Sequence, residues 1–144
     1  MDISSIDWQQ ILGHLIRLLL AFVLALPIGW DRERSRRHFG LRTYPLVGVV
    51  TCGLMLVGAA VFANDEARAR VMQGIITGIG FIGGGTILTH ENKIVGTASA
   101  ASIWNTGCIG IAVANDRFEI AVTLSILNLL ILKIFGGAKP KLNE

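Results

Sequence analysis

The chain has 144 residues and a net charge of +3; 52% are hydrophobic before its 17 glycines are counted, and only 16% are charged. Soluble domains average ~45–50% apolar with glycine included, and a domain this small leaves much of its area exposed. A soluble fold, a disordered chain, a disulfide scaffold and a multidomain enzyme are excluded. With a mean hydropathy of +0.60, what remains is a small all-α integral membrane protein.

A helix needs ~20 apolar residues, with ~17–25 tolerated, to cross a bilayer core of about 30 Å. Five segments meet or approach this: residues 11–30, 46–63, 71–88, 97–114 and 118–135. The N-terminal tail carries Asp2 and Asp7 but no Lys or Arg, so no cleavable signal peptide is read there. In the first span Gln10, His14 and Arg17 fall on one helix face. Arg17 is the clear ionisable group at membrane depth, and such groups are functional candidates. It either snorkels to the outer headgroups or points into the bundle, where Thr77, Ser99, Ser102, Asn105 and Asn128 are the candidate partners.

The loop that follows alternates Asp31, Arg32, Glu33 and Arg34. It reads as local ion pairs in a solvated, topology-setting loop whose basic residues also suit anionic headgroups. The isolated His38 and His90 read as solvated loop residues. Cys52 and Cys108 lie inside apolar runs without metal-ligand spacing and read as packing residues.

The third span contains Gly78-Ile-Gly-Phe-Ile-Gly83, a GxGxxG by letter. A dinucleotide site needs that motif between a strand and a helix with an acidic residue ~20 positions on; residues 98–109 hold none. Small residues mark helix contacts in lipid, and Gly74 and Gly78, four apart, present such a pair. In the fourth span Ala98, Ser102, Thr106, Gly110 and Ala114 align at i+4 steps and predict a tight contact with another helix. The run Gly83-Gly84-Gly85 either packs closely or breaks the helix to line a cavity. The connections are short, so consecutive helices should pack as antiparallel neighbours.

Orientation follows the basic residues. One side collects Arg32, Arg34, Arg36, Arg37, Arg42, Lys93, Lys133, Lys139 and Lys141; the other has Arg68, Arg70 and Arg117. The N-terminus is expected outside and the C-terminus in the cytoplasm. The basic balance needs no nucleic-acid partner. All ten carboxylates fall outside the span centres, whereas a Mg²⁺ path favours carboxylate oxygens. Mg²⁺ therefore lacks intramembrane support, any metal site is undefined, and no cofactor or catalytic set is expected.

Four passages together resemble the membrane domain of the MgtC/SapB family: IGWDRERSRR (28–37), GLRTYPLVG (40–48), GIITGIGFIGGGTIL (74–88) and VGTASAASIWNTGCIGIAV (95–113). The resemblance implies a five-helix, multi-pass bacterial inner-membrane protein linked to low-magnesium and stress adaptation. It further implies the membrane domain alone, without the soluble C-terminal domain that many members carry. At the family's motif positions stand Asp31, Arg32, Glu33, Gly40, Arg42, Thr43, Gly78, Gly80, Phe81, Gly83, Gly84, Gly85, Gly96, Ala100, Ala101 and Trp104. Asp31 stands where Glu is common in the family, Gly84 where Ala is usual, and Thr97-Ala98-Ser99 where Leu-Thr-Thr is usual.

The leading expectation is a non-enzymatic protein acting by helix–helix contact with itself, as a dimer, or with a membrane partner. The alternative is a subunit of a transporter or channel for Mg²⁺ or another small solute, with residues 83–85 opening a polar path.

Overall fold

In the computed structural model, residues 7–34, 40–90 and 93–136 are described. They form five α-helices and one short hairpin: α1 (Trp8–Arg34), α2 (Thr43–Val61), α3 (Asp65–Gly84), β1 (Leu88–His90), β2 (Lys93–Val95), α4 (Thr97–Ala114) and α5 (Phe118–Gly136). Arg36, Arg37, His38, Lys139 and Lys141, five residues of the expected loop and tail, lie outside the described residues.

Local chemistry explains most helix ends. Pro45 sits in the first turn of α2, where its missing N–H costs nothing. Asn64 caps α3 by accepting from the Ala67 amide at 2.7 Å, and Asp65 and Glu66 complement the positive end of that helix. The helix stops at Gly84, and the Gly83 carbonyl near its end accepts from both the amide and the hydroxyl of Thr86, at 3.0 and 2.8 Å. The glycine run thus ends α3 instead of breaking a helix at mid-span. α3 also begins at Asp65, earlier than the expected span. Residues 88–90 and 93–95, read from sequence as mostly loop, pair as antiparallel strands with Leu88 opposite Val95 and Thr89 opposite Ile94.

α4 lies at the centre and packs against all four other helices. That position explains its composition: enclosed on most sides, it needs little apolar surface of its own and can carry Ser, Thr and Gly. Ser99, Ser102, Ile103, Thr106, Gly107, Gly110 and Val113 are all buried along it. At Gly110 the helix meets α2 so closely that an added Cβ would collide with Thr51 Oγ1 and the Gly48 carbonyl. At Gly83 a Cβ would lie 3.2 Å from the Ala100 carbonyl oxygen, so the end of α3 rests on α4. Gly48 in turn brings α2 against α1, where a Cβ would sit 3.2 Å from the Ala21 carbonyl oxygen.

The outer helices have the reverse character. Among the described residues α1, α2 and α5 are long and apolar enough to cross a membrane. Only 17% of the most apolar window of α1 and 22% of that of α5 is buried, so their leucines and isoleucines need an apolar solvent outside the chain. Pro27 interrupts the hydrogen-bond ladder of α1, and in that turn Ser125 of α5 donates to the Leu24 carbonyl at 2.6 Å.

Candidate functional site

The matched motif residues divide by position. One group converges from separate parts of the chain on the first turn of α4. Arg32, at the end of α1, is 6% exposed and donates to Asp31 Oδ2 at 3.0 Å. Glu33 folds its carboxylate over Gly40, where an added Cβ would collide with it, and accepts from the Leu41 amide at 3.1 Å. That contact brings the start of α2 back to α1. Thr43 opens α2 and is half-buried, while Arg42 is exposed. The fully buried Tyr44 donates its hydroxyl to the Ser99 carbonyl at 3.3 Å and so ties α2 to α4. Gly83 rests on Ala100, and the Thr86 hydroxyl reaches the Gly96 carbonyl at 3.4 Å.

The second group stays outside this cluster. Gly78, Gly80 and Gly84 would have open space around a Cβ, as would Gly74. Phe81 is 85% exposed, and Trp104 and Ala101 are exposed as well. With the facing part of α2, residues such as Leu46, Val50, Leu54, Val71, Gly74 and Gly78 line an apolar groove of about 490 Å³. Within the candidate packing face of α4, Ser102, Thr106 and Gly110 are buried in this chain, Ala114 is half-buried and Ala98 is exposed.

A polar seam joins α4 to α5. Ser102 donates to Asn128 Oδ1 at 3.1 Å, and the Asn105 side-chain amide reaches the Leu124 carbonyl at 3.4 Å. Thr106 turns its hydroxyl back to the Ser102 carbonyl at 2.8 Å. In an apolar surround such paired groups hold two helices in register, each at a modest ~0.6–2 kcal/mol. Of the other polar candidates, His14 is exposed, and Thr77 is exposed with its hydroxyl on the Gln73 carbonyl of its own helix.

Arg17 bonds none of the five partners considered for it. At the opposite end of the bundle from the motif cluster, its Nε and Nη2 donate to Asp116 Oδ1 and Oδ2, each at 2.9 Å, in a two-pronged pair. The backbone explains how Asp116 gets there. α4 ends with the Arg117 amide bonded to the Ala112 carbonyl at 2.9 Å and the Asp116 amide to the Val113 carbonyl at 3.2 Å. This is the helix stop in which one residue turns left-handed, usually glycine; here it is Asp116 at φ 58°. An aspartate in that place brings a carboxylate into reach of α1, which glycine could not. The side chains remain 30% and 55% exposed, so the pair is worth little more than ~0.5–1 kcal/mol. In a double-mutant cycle, Arg17→Gln and Asp116→Asn should therefore show a coupling of about 0.5–1 kcal/mol by detergent melting, shrinking as salt rises.

Sequence reasoning missed Asp116, Tyr44, Thr86 and Ser125. Ser125 had a visible signal, three residues before Asn128 on the same helix face. Among the described residues, no group of three or more His, Cys, Asp or Glu side chains is placed to hold a metal.

A helical bundle with apolar outer helices and a small-residue, polar central helix defines a membrane-protein class. The MgtC family model matches residues 18–139, and the chain belongs to that family. It is 35% identical over 128 residues to an Escherichia coli K12 protein named "Putative magnesium transporter YhiD", covering 84% of this chain and 60% of that one. It is 32% identical over 142 residues to protein SrpB of Synechococcus elongatus, covering 90% and 76%. It is 28% identical over 131 residues to protein MgtC of Salmonella typhimurium LT2, covering 91% and 56%. The chain thus spans 60% or less of the length of two of these three relatives. No solved structure matches it.

Proposed function

We propose that this is a multi-pass protein of the bacterial inner membrane, one MgtC-type domain whose five helices all cross the bilayer, with the N-terminus outside and the C-terminus cytoplasmic. Its role is non-enzymatic and is exerted by helix–helix contact with a second copy of itself. The observation that carries this is the open groove between α2 and α3, floored by Gly74 and Gly78, where an added Cβ would meet none of the described residues. A small-xxx-small pair is self-complementary: the same face on two chains related by a two-fold axis brings backbones into close contact. The stripe on α4 is largely used within the chain, so α3 is the face left for a partner. The distribution of basic residues supports the orientation.

Cysteines placed singly at Gly74 and Gly78, in a chain with Cys52 and Cys108 replaced by alanine, should form disulfide dimers in membranes. Cysteines at the buried Thr106 and Gly110 should not. No crosslink from α3, together with a monomer by native mass spectrometry in detergent, would overturn the reading. The name of the Escherichia coli relative favours a second one, a subunit that passes Mg²⁺. Magnesium entry into liposomes containing the purified chain, lost on Gly84→Leu, would put that reading first.

A further inference from the structure

The first turn of α4 is uncapped by any side chain, because its cap position is Gly96. The first amides of a helix have no partners within it and carry the positive end of its dipole. The Ala100 amide is taken by the Gly96 carbonyl at 2.9 Å; those of Thr97, Ala98 and Ser99 precede it. A small cavity of about 30 Å³ lies against these three residues, walled on the hairpin side by Ile94 and Val95 and on the other by Arg32. Arg32 is 6% exposed, and its buried Nε–H has no acceptor among the described residues. Its Nη2 donates to Asp31 Oδ2 at 3.0 Å.

The lining is one-sided in its chemistry. It offers the Arg32 guanidinium, the start of a helix and the residues Thr97 and Ser99, with no carboxylate among the described residues that wall it. A buried donor of this strength demands an acceptor, and helix starts bind anionic oxygens readily. A water occupies ~10–15 Å³ on the same measure, so the space admits about two oxygen-sized groups.

We propose that Arg32 and the first turn of α4 form an oxyanion site that takes the non-bridging oxygens of a phosphate group. The phosphate comes either from an anionic phospholipid headgroup or from free phosphate. Ile94, which walls the site on the hairpin side, is 68% accessible, so an apolar side chain is presented outward beside it. The site is separate from the α2–α3 groove, and its phosphate arm does not depend on the membrane reading or the dimer.

The test uses the full chain purified in a phosphate-free detergent buffer. Phosphatidylglycerol is titrated and read by native mass spectrometry, and inorganic phosphate is titrated by calorimetry. At least one should bind, and Arg32→Gln should weaken it roughly tenfold or more, since a charge-assisted contact is lost. Arg34→Gln, at an exposed position on the same helix, should leave binding unchanged. Thr97→Asp places a carboxylate at the exposed first position of α4 and should block binding without lowering the melting temperature; it decides the matter if Arg32→Gln fails to fold. Binding of the lipid alone identifies the headgroup as the source, and binding of both shows that free oxyanion suffices. If neither binds, the site holds water only and the proposal is overturned. Equal binding by wild type, Arg32→Gln and Thr97→Asp, or equal losses in Arg32→Gln and Arg34→Gln, would overturn it too.

Discussion

Replacing Gly110 by alanine is expected to destabilise the bundle by about 3 kcal/mol, at the upper end of the usual overpacking cost. A single methyl group produces so large an effect because of what it meets. The new Cβ would collide with Thr51 Oγ1 and with the Gly48 carbonyl, and would lie 3.0 Å from the Cys52 amide nitrogen. Backbone cannot turn aside as a side-chain tip can. Thr51 is also held, its hydroxyl bonded to the Val47 carbonyl at 2.9 Å. Relief therefore requires α2 and α4 to separate, which would loosen the contact between the central helix and its most closely packed neighbour. Gly80→Ala is the control, because a Cβ there has open space and the residue does not line the α2–α3 groove, and its chain should melt like wild type in detergent. A Gly110→Ala protein that melts with the control would mean that α2 and α4 are not so closely approached.

That contrast also shows where sequence spacing runs out. Small residues at i+4 steps are legible as a face, and Ser102, Thr106 and Gly110 lie along one buried side of α4. The spacing carries no information on which helix the face meets. Gly74 and Gly78 have the same periodicity, yet a Cβ at either would meet none of the described residues. Arg17 illustrates a second limit. Asp116 is not legible as its partner, because a carboxylate just beyond a helix end reads as solvated. The pair forms because a left-handed turn at Asp116 aims a loop side chain back at α1, 99 residues away in sequence. The hairpin was illegible for a simpler reason. Strands of three residues are too short to show an alternating pattern.

The motif cluster was legible as four separate passages, but their convergence was not. Asp31 to Glu33 read as surface charge, yet Arg32 is buried and Glu33 is bound to the Leu41 amide. What brings them together is the return of the chain at both ends of a long excursion. Gly40 lets Glu33 close the turn from α1 into α2, and Gly96 lets the hairpin turn into α4.

Gly96→Ala is accordingly expected to cost about 1–2 kcal/mol from handedness alone, because its φ of 92° is one that residues with a Cβ seldom adopt. A further ~1–3 kcal/mol arises because that Cβ would collide with the Thr86 carbonyl oxygen, which is backbone. The strain falls where the hairpin meets the first turn of α4, so its relief should displace that turn from Arg32. Phosphate or phosphatidylglycerol binding should then fall with stability. Gly110→Ala, whose strain lies deeper along α4 against α2, should lower the melting temperature while leaving binding by the still-folded fraction unchanged. Both are read on the same two instruments, a detergent melt and a ligand titration. If Gly96→Ala binds as wild type while melting lower, the loop geometry does not position the oxyanion site. If it melts as wild type, the left-handed turn at Gly96 is not required by the fold.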